Sequence, residues 1–376
     1  MANEGRLDAL DALRGFALLG ILVVNIQMFS GWGYLGAEGR ASLAGSEWDD
    51  SIKVLLEMFA HDKFYSLFSL LFGYSFVMLA AKKSGGYHLR RMAGLLLFGI
   101  AHALLLWPWD ILYLYAIMGV LLTPFLRAPA RLMVPLAVAL LAAVAAVRWY
   151  WLEQGSAGRW NGELMTALDQ AVPRYANGGY GEVVAANREL ARAVVFDRLD
   201  QIRPLRVLAM FLIGASAARL RLAVPDAGPR RTLIVLAFTV SPVAILFAWG
   251  EQQWMGDASP RLVQVTVEAF AAPLMAVAYA SVLMLWWNHG GALARGVRTM
   301  LAPAGRMALT HYLGQSLVCV ALFYGVGAGW FAQYSLIWLM VGAAALFIAQ
   351  VLFSVLWLKR FRQGPMEALW RRMVGR

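Results

Sequence analysis

The chain has 376 residues, of which 61% are hydrophobic and 15% charged, and its mean hydropathy is +0.61. Soluble domains are about half apolar and a quarter charged, so this composition excludes an ordinary soluble protein and indicates a membrane protein. Cys319 is the only cysteine, which excludes a disulfide framework and a thiolate metal site. The net charge is +11, and the positions of the positive residues explain it.

Ten apolar runs are long enough, or nearly long enough, to cross a bilayer as helices, which takes about 17–25 residues. In chain order the runs are 13–29, 64–81, 92–107, 111–126, 132–151, 205–220, 232–250, 262–287, 307–326 and 331–358. The third and fourth runs are short and closely spaced, which predicts a tight hairpin through 107–110. We therefore predict an all-α fold, a single polytopic membrane helix bundle over 1–376 with about ten transmembrane helices.

The positive residues predict the orientation of this bundle. Lysine and arginine near the ends of membrane spans favour the cytoplasm. With the N-terminus inside, most of the 33 lysines and arginines lie in inner segments, including 82–91, 219–231 and the C-terminal tail. The sequence therefore predicts cytoplasmic N- and C-termini in an inner membrane. It also predicts that the positive charge faces anionic lipid, with no nucleic-acid partner.

Two outer segments are too polar to span the membrane. Residues 31–63 are rich in glycine, then acidic, then amphipathic, which predicts an outer loop with an amphipathic segment. Residues 152–204 form a longer charged loop, in which 182–199 predicts a helix with Leu190 and Val194 on its apolar side. This helix has two interpretations: it lies on the membrane surface, or it forms a lid over an outer-facing cavity.

The first span carries polar residues at two depths. Ionisable groups inside spans are costly, so each marks a candidate site. Arg14 opens the span, and Asn25 follows about 16 Å further along a helix, with Gln27 beyond it. Polar groups at both depths predict that this helix lines a cavity. The alternative for Arg14 is a topology charge that pairs locally with Asp11.

The hairpin between the third and fourth spans carries the candidate catalytic pair. His102 lies in the outer half of the third span, and Asp110 lies just beyond the turn. A carboxylate beside an imidazole fixes its tautomer and raises its basicity, as general-base catalysis requires. Tyr113 lies nearly one turn further and can join them. The alternative for His102 is a packing residue bonded to backbone or hydroxyl groups.

Two other spans contribute candidate polar residues. Lys63 directly precedes the second span, at its outer end. His311 lies near the inner end of the ninth span, with Gln315 and Ser316 on nearby turns. His311 either lines the entrance to a cavity or packs in the bundle, and the alternative for Lys63 is a solvated cluster with His61 and Asp62 at the membrane interface. No cluster of carboxylates and histidines has the spacing of metal ligands, so we predict no metal.

Five blocks of the sequence resemble the bacterial YeiB-like proteins, which carry the DUF418 domain. The blocks are Arg6–Asn25, Lys63–Gly73, Gly99–His102 continuing to Asp110–Tyr113, Gly305–Ser316 and Gly364–Trp370. That family is grouped with the transmembrane acyltransferases, which include the lysosomal heparan glucosaminide acetyltransferase and the acyltransferase-3 O-acylases. The resemblance implies a bacterial inner-membrane protein that transfers an acyl group from cytoplasmic acyl-CoA or acetyl-CoA to an acceptor on the far side.

The resemblance also bears on individual residues. In the acyltransferase-3 branch the first helix carries an arginine, ten further residues and then a catalytic histidine. Here Arg14 is followed after ten residues by Asn25, which can position a substrate but cannot act as a base. The base must then come from elsewhere, and His102 with Asp110 is the best-placed pair. His311 stands where relatives often have asparagine.

Three functions fit these residues. In an acyltransferase, acyl-CoA docks near Arg14, and His102, oriented by Asp110, either deprotonates an acceptor hydroxyl or amine or becomes acylated itself. The acceptor is then a small molecule, a glycan or a lipid, and a homo-oligomer is possible. The alternatives are a transporter or lipid exporter with a polar intramembrane path, and a structural or sensor protein. The predicted substrate-binding residues are Asn25, Gln27, Lys63, Tyr113, His311, Gln315 and Ser316.

Overall fold

The computed structural model describes residues 2–80, 84–155, 161–222, 230–254 and 259–375. Outside the described residues lie 81, at the end of the second predicted span, 82–83 of the predicted basic loop 82–91, 156–160 of the predicted outer loop, and 223–229 of the predicted inner segment 219–231. Throughout the described ranges the fold is helical and contains no strand, which confirms the predicted all-α class. The α-helices are, in chain order, α1 (Ala2–Phe29), α2 (Ala37–Ala41), α3 (Asp49–Phe59), α4 (Lys63–Ala80), α5 (Gly85–Leu105), α6 (Leu112–Leu122), α7 (Ala130–Glu153), α8 (Asn161–Asn177), α9 (Tyr180–Asp200), α10 (Arg203–Arg219), α11 (Arg230–Gln253), α12 (Arg261–His289), α13 (Ala292–Arg306), α14 (Ala308–Phe323), α15 (Leu336–Arg360) and α16 (Pro365–Val374).

The apolar runs of the sequence all form helices. Each of the ten predicted runs coincides with one helix, namely α1, α4, α5, α6, α7, α10, α11, α12, α14 and α15. By length and hydropathy, six segments of the described chain are candidate membrane spans: Asp8–Phe29, Ser46–Ala80, Ala130–Glu153, Arg230–Gln253, Arg261–His289 and Leu336–Arg360. Shorter apolar helices cover Leu112–Leu126 and Ala308–Phe323. The molecule is therefore a helical membrane protein.

Burial separates central from peripheral helices. The apolar window of α1 is 67% buried, whereas those of α7 and α11 are only 28% buried. Their remaining surface is apolar, with Phe238 of α11 and Leu132 of α7 more than half exposed. An apolar outer surface on an apolar helix is what contact with lipid requires. The first helix thus lies inside the bundle, and α7 and α11 lie at its edge.

Small residues let the central helices approach each other closely. A Cβ on Gly305 of α13 would lie 1.7 Å from the carbonyl oxygen of Asp11 in α1. A Cβ on Gly214 of α10 would lie 1.9 Å from the carbonyl oxygen of Leu70 in α4. Backbone contact of this kind at small residues is typical of helix pairs in membranes. The segment 288–306, predicted only as an inner connection, therefore contains a helix that packs along α1.

Helix α5 connects the two ends of the bundle. Near its start, the carbonyl of Arg91 accepts a hydrogen bond from the Trp370 indole of α16 at 3.1 Å. Its other end turns through 106–111 into α6. We call the end of the bundle where Arg91 meets α16 the basic end, and the end where α5 turns into α6 the hairpin end. His102 lies about 16 Å along the helix from Arg91, at the hairpin end.

Candidate functional site

The hairpin places His102 beside Asp110, as the sequence predicted. Helix α5 ends with the amides of Leu106 and Trp107 both donating to the His102 carbonyl at 2.9 Å. Asp110 Oδ1 then accepts a hydrogen bond from the Tyr113 amide at 3.0 Å and so caps the start of α6. Its other oxygen, Oδ2, lies 2.9 Å from His102 Nδ1. One carboxylate therefore begins a helix and orients the imidazole.

A glycine makes this approach possible. A Cβ on Gly99 would lie 2.3 Å from the Tyr113 amide nitrogen and 2.8 Å from Asp110 Oδ1. Any larger residue at this position would push the start of α6 away from α5. The glycine thus sets the distance between His102 and Asp110, although it lies three residues before the histidine.

Ser316 of α14 completes a chain of three side chains. Its Oγ lies 2.8 Å from His102 Nε2, on the opposite side of the ring from Asp110. A carboxylate only accepts hydrogen bonds, so an imidazole proton on Nδ1 would face Asp110, and Nε2 would then accept the serine hydroxyl proton. Serine, histidine and aspartate in this order are the arrangement that activates a serine nucleophile.

The network of Ser316, His102 and Asp110 is shielded from solvent. The side chains of His102 and Asp110 are both 0% exposed, and Ser316 is buried. Tyr312, one turn before Ser316 on α14, donates a hydrogen bond to Asp110 Oδ2 at 3.4 Å, and its ring centre lies 5.2 Å from that of His102. Such a network holds the imidazole in one orientation, and any reaction there requires a neighbouring element to move.

Helix α9 covers this network, and its Arg198 was missed in the sequence. The Arg198 guanidinium donates hydrogen bonds to the Asp110 carbonyl and, at 2.8 Å, to the Tyr113 hydroxyl. Arg198 follows Leu190 and Val194 at intervals of four, so it continues the apolar, buried side of the helix. A charged residue in line with buried apolar residues was the signal that could have identified it.

The rest of α9 contacts the end of α5. Asn187 Nδ2 donates to the Leu104 carbonyl at 3.4 Å, and the Tyr180 hydroxyl donates to the Leu105 carbonyl at 3.2 Å. The predicted helix 182–199 therefore exists and lies across the hairpin end. The membrane-surface and lid interpretations of 152–204 both stay predictions.

His311 and Gln315 belong to a second polar group, on another side of α14. His311 Nε2 is hydrogen-bonded to Ser354 Oγ, and Gln315 Nε2 donates to Gln350 Oε1 at 3.0 Å. Both contacts join α14 to α15. The three residues predicted together on α14 thus separate, because Ser316 faces α5 while the other two face α15.

Lys63 belongs to a cluster of charges that joins several helices near the start of α4. Its buried ammonium pairs with Glu251 of α11 and donates to the Glu57 carbonyl at 2.6 Å. The neighbouring Asp62 lies 3.3 Å from Arg203, and Glu268 of α12 lies 2.8 Å from Arg206. Glu251 and Glu268 were not among the candidate site residues predicted from the sequence. Gln27 lies nearby, with its Nε2 3.4 Å from His61 Nε2.

On the first helix, Arg14 has its own polar partners, none of which belongs to the hairpin network. Arg14 pairs with Asp11 and donates to Ser75 Oγ at 2.5 Å, as its local-pairing interpretation predicts. Asn25 is half-buried. In the described part of the chain, no group of three histidine, cysteine, aspartate or glutamate side chains has the geometry to hold a metal ion.

Comparisons with known proteins give relatives along nearly the whole chain. A family model described as a protein of unknown function, DUF418, matches residues 221–376. The uncharacterized protein YxaH of Bacillus subtilis (strain 168) is 30% identical, over 99% of this chain and 94% of its own length. The uncharacterized protein YeiB of Escherichia coli (strain K12) is also 30% identical, over 98% of this chain and 96% of its own length. No solved structure matches the chain.

Proposed function

We propose that this chain, which belongs to the DUF418 family of YeiB-like proteins, is a transmembrane acyltransferase. It would move an acyl group from acyl-CoA or acetyl-CoA to a hydroxyl or amine of a small molecule, a glycan or a lipid. The observation that supports this proposal is the order of Ser316, His102 and Asp110, with Ser316 Oγ 2.8 Å from His102 Nε2 and Asp110 Oδ2 2.9 Å from His102 Nδ1. An imidazole between a hydroxyl and a carboxylate is the arrangement that acyl transfer uses.

The proposed reaction has two half-reactions with balanced protons. In the first, His102 Nε2 takes the Ser316 hydroxyl proton while Oγ attacks the thioester carbonyl. The C–S bond breaks, and the CoA thiolate takes the proton from His102. In the second, His102 takes a proton from the acceptor, which attacks the acyl-serine. The C–O bond breaks and Ser316 regains its proton, while Asp110 holds Nδ1–H throughout.

The proposal includes the orientation predicted from the sequence. All ten apolar helices would cross a bacterial inner membrane, with both termini in the cytoplasm. The basic end, with Arg14 and Arg91, would then face the cytoplasm and receive the donor. His102 would lie near the outer face, where the acceptor arrives. Asn25 and Gln27 lie further along α1 than Arg14 and are the proposed acceptor-side contacts of that helix.

Opening of α9 is the proposed route for substrates. Arg198 fastens this helix to the hairpin through two hydrogen bonds, and the network beneath it is closed in this structure. Displacing a surface helix exposes less apolar area than separating two central helices, so it costs less free energy. The segment 152–204 would therefore act as the lid.

The test uses the full-length protein in lipid nanodiscs and measures release of free CoA thiol from acetyl-CoA. We expect His102→Ala and Ser316→Ala to abolish release and the parent protein to show an acetyl group on Ser316 by mass spectrometry. His311→Asn is the matched control, because His311 is also buried and hydroxyl-bonded but lies outside the network. Full activity of His102→Ala would refute the proposal, and loss of activity in His311→Asn alone would move the site to the contact between α14 and α15.

A transporter is the second candidate, and the buried charge cluster around Lys63 favours it. Ionisable groups inside a membrane protein often mark an ion or substrate path. Substrate flux into vesicles without acyl-CoA, lost in Lys63→Met and retained in His102→Ala, would support transport instead of acyl transfer. Flux that depends on acyl-CoA and on His102 would leave acyl transfer as the function.

A further inference from the structure

A cavity lies at the basic end, between the end of α15 and helix α16. Its volume is about 520 Å³, and its lining includes Trp357, Phe361, Arg362, Leu369, Arg371 and Arg372. We call it the basic cavity. It is open to the surface, since Arg362, Arg371 and Arg372 are exposed. A cavity of this size can hold a small polar group such as a lipid head group.

The three arginines of the basic cavity carry positive charge that the nearby chain does not neutralise. Among the ion pairs of the described residues, none includes Arg362, Arg371 or Arg372. Glu367, the acidic residue of α16, instead accepts from the Leu309 amide at 2.7 Å and from the Thr310 hydroxyl at 2.6 Å. The guanidinium groups are therefore available for a ligand, and guanidinium binds phosphate through paired hydrogen bonds.

An apolar surface continues from the basic cavity along α15. The rings of Phe353, Trp357 and Phe361 follow each other down one side of the helix, with centroids 5.5 Å and then 4.3 Å apart. Beside them Leu352 and Leu356 are 59% and 65% exposed. Aromatic residues at the end of an exposed apolar helix are typical of the membrane interface. The cavity thus places three positively charged side chains beside an apolar surface on which lipid acyl chains can lie.

We propose that the basic cavity binds the head group of an anionic phospholipid, with the phosphate on the three arginines and the acyl chains along α15. The apolar surface distinguishes this ligand from a free phosphate, which would make no use of it. Basic pockets at the cytoplasmic side of membrane proteins have the chemistry to bind such head groups. This inference does not depend on acyl transfer, because the cavity lies at the opposite end of the bundle from His102.

The test compares lipids on the purified full-length protein by native mass spectrometry. The probes are phosphatidylglycerol, phosphatidylcholine with the same acyl chains, and glycerol 3-phosphate as the water-soluble phosphate. We expect phosphatidylglycerol to bind about tenfold more tightly than phosphatidylcholine, and the triple variant R362Q/R371Q/R372Q to lose this preference. The single variants R371Q and R372Q should each lower it about threefold, which keeps the test valid if the triple variant does not purify.

The control removes the same charge from the same end of the bundle. The variant R90Q/R295Q/R298Q changes three arginines that do not line the basic cavity, and it should keep the preference for phosphatidylglycerol. Equal loss in both triple variants would overturn the proposal, because general positive charge would then explain binding. Displacement of phosphatidylglycerol by an equal concentration of glycerol 3-phosphate would also overturn it, in favour of a soluble ligand.

Discussion

The bundle carries polar groups at both ends, and the two sets are satisfied in opposite ways. At the hairpin end, His102, Asp110 and Ser316 are buried and in contact with one another. At the basic end, the three arginines of the basic cavity are exposed and form no ion pair within the described chain. The first set has its partners inside the protein, whereas the second requires a partner from outside.

This difference determines what a substitution does at each end. Removing one member of a closed network leaves a buried partner unsatisfied, which costs about 1–3 kcal/mol before any effect on chemistry. Removing an exposed arginine leaves nothing buried, so stability changes little and only ligand binding falls. The hairpin end should therefore couple structure to activity, and the basic end should not.

The largest expected effect is on activity in Asp110→Asn. The amide keeps the size of the side chain but can no longer hold Nδ1–H as a carboxylate does, so Nε2 ceases to be the accepting nitrogen. We expect the rate of CoA thiol release to fall about 10³–10⁴-fold. The measurement is initial rate per folded protein, with folding checked by gel filtration. A rate within threefold of the parent would show that Asp110 only caps α6.

The next largest expected effect is on stability, and it differs between two glycine substitutions. In Gly99→Ala the new Cβ meets the backbone of Tyr113, so α6 must move and the midpoint of thermal unfolding should fall. We expect a loss of about 1–3 kcal/mol, with reduced activity, because the distance from His102 to Asp110 increases. The control is Gly296→Ala on α13, where a Cβ meets no atom within 4 Å. There alanine should raise stability by up to about 1 kcal/mol. Equal effects at the two glycines would show that the hairpin is not tightly packed.

A smaller effect is expected from Arg198→Ala on α9. The substitution leaves the Asp110 carbonyl and the Tyr113 hydroxyl without their donor, so α9 should dock about 1.5–3 kcal/mol less tightly. Hydrogen exchange should become faster in 180–200 and in the hairpin, while exchange in α16 stays unchanged. Unchanged exchange over the hairpin would mean that Arg198 does not hold the lid closed.

The sequence predicts the helices well for a reason that also explains what it misses. Lipid requires apolar, fully hydrogen-bonded spans, so hydropathy alone located the ten helices. The short spacing between His102 and Asp110 made their contact predictable, because a tight hairpin leaves few alternatives. Ser316 lies more than two hundred residues further along the chain. Only the packing of α14 against α5 determines that it faces the imidazole.

The same limit applies to the faces of α14 and to the charge cluster. Ser316 and Gln315 are neighbours in sequence, yet they point to different helices, because adjacent residues lie about 100° apart around a helix. Hydropathy does not show which neighbour lies on which side. Glu251 lies near the end of α11, where charged residues are ordinary, so nothing in the sequence separated it from a solvated residue. Glu268 lies inside the predicted span 262–287, and an ionisable group within a span was the signal that could have identified it.

The smallest expected effect tests whether a buried charged residue of α9 holds this helix in place more strongly than an exposed one. Glu189 of α9 pairs with Arg174 of α8 at 2.8 Å, but the Glu189 side chain is 53% exposed. An exposed pair contributes about 0–1 kcal/mol, so Glu189→Gln should change neither the thermal midpoint nor the exchange of the hairpin measurably. Arg198 and Glu189 lie on the same helix, and each substitution removes one charge. A loss in Glu189→Gln as large as in Arg198→Ala would mean that α9 is held by its contact with α8, and the buried guanidinium would then have no special role in closing the site.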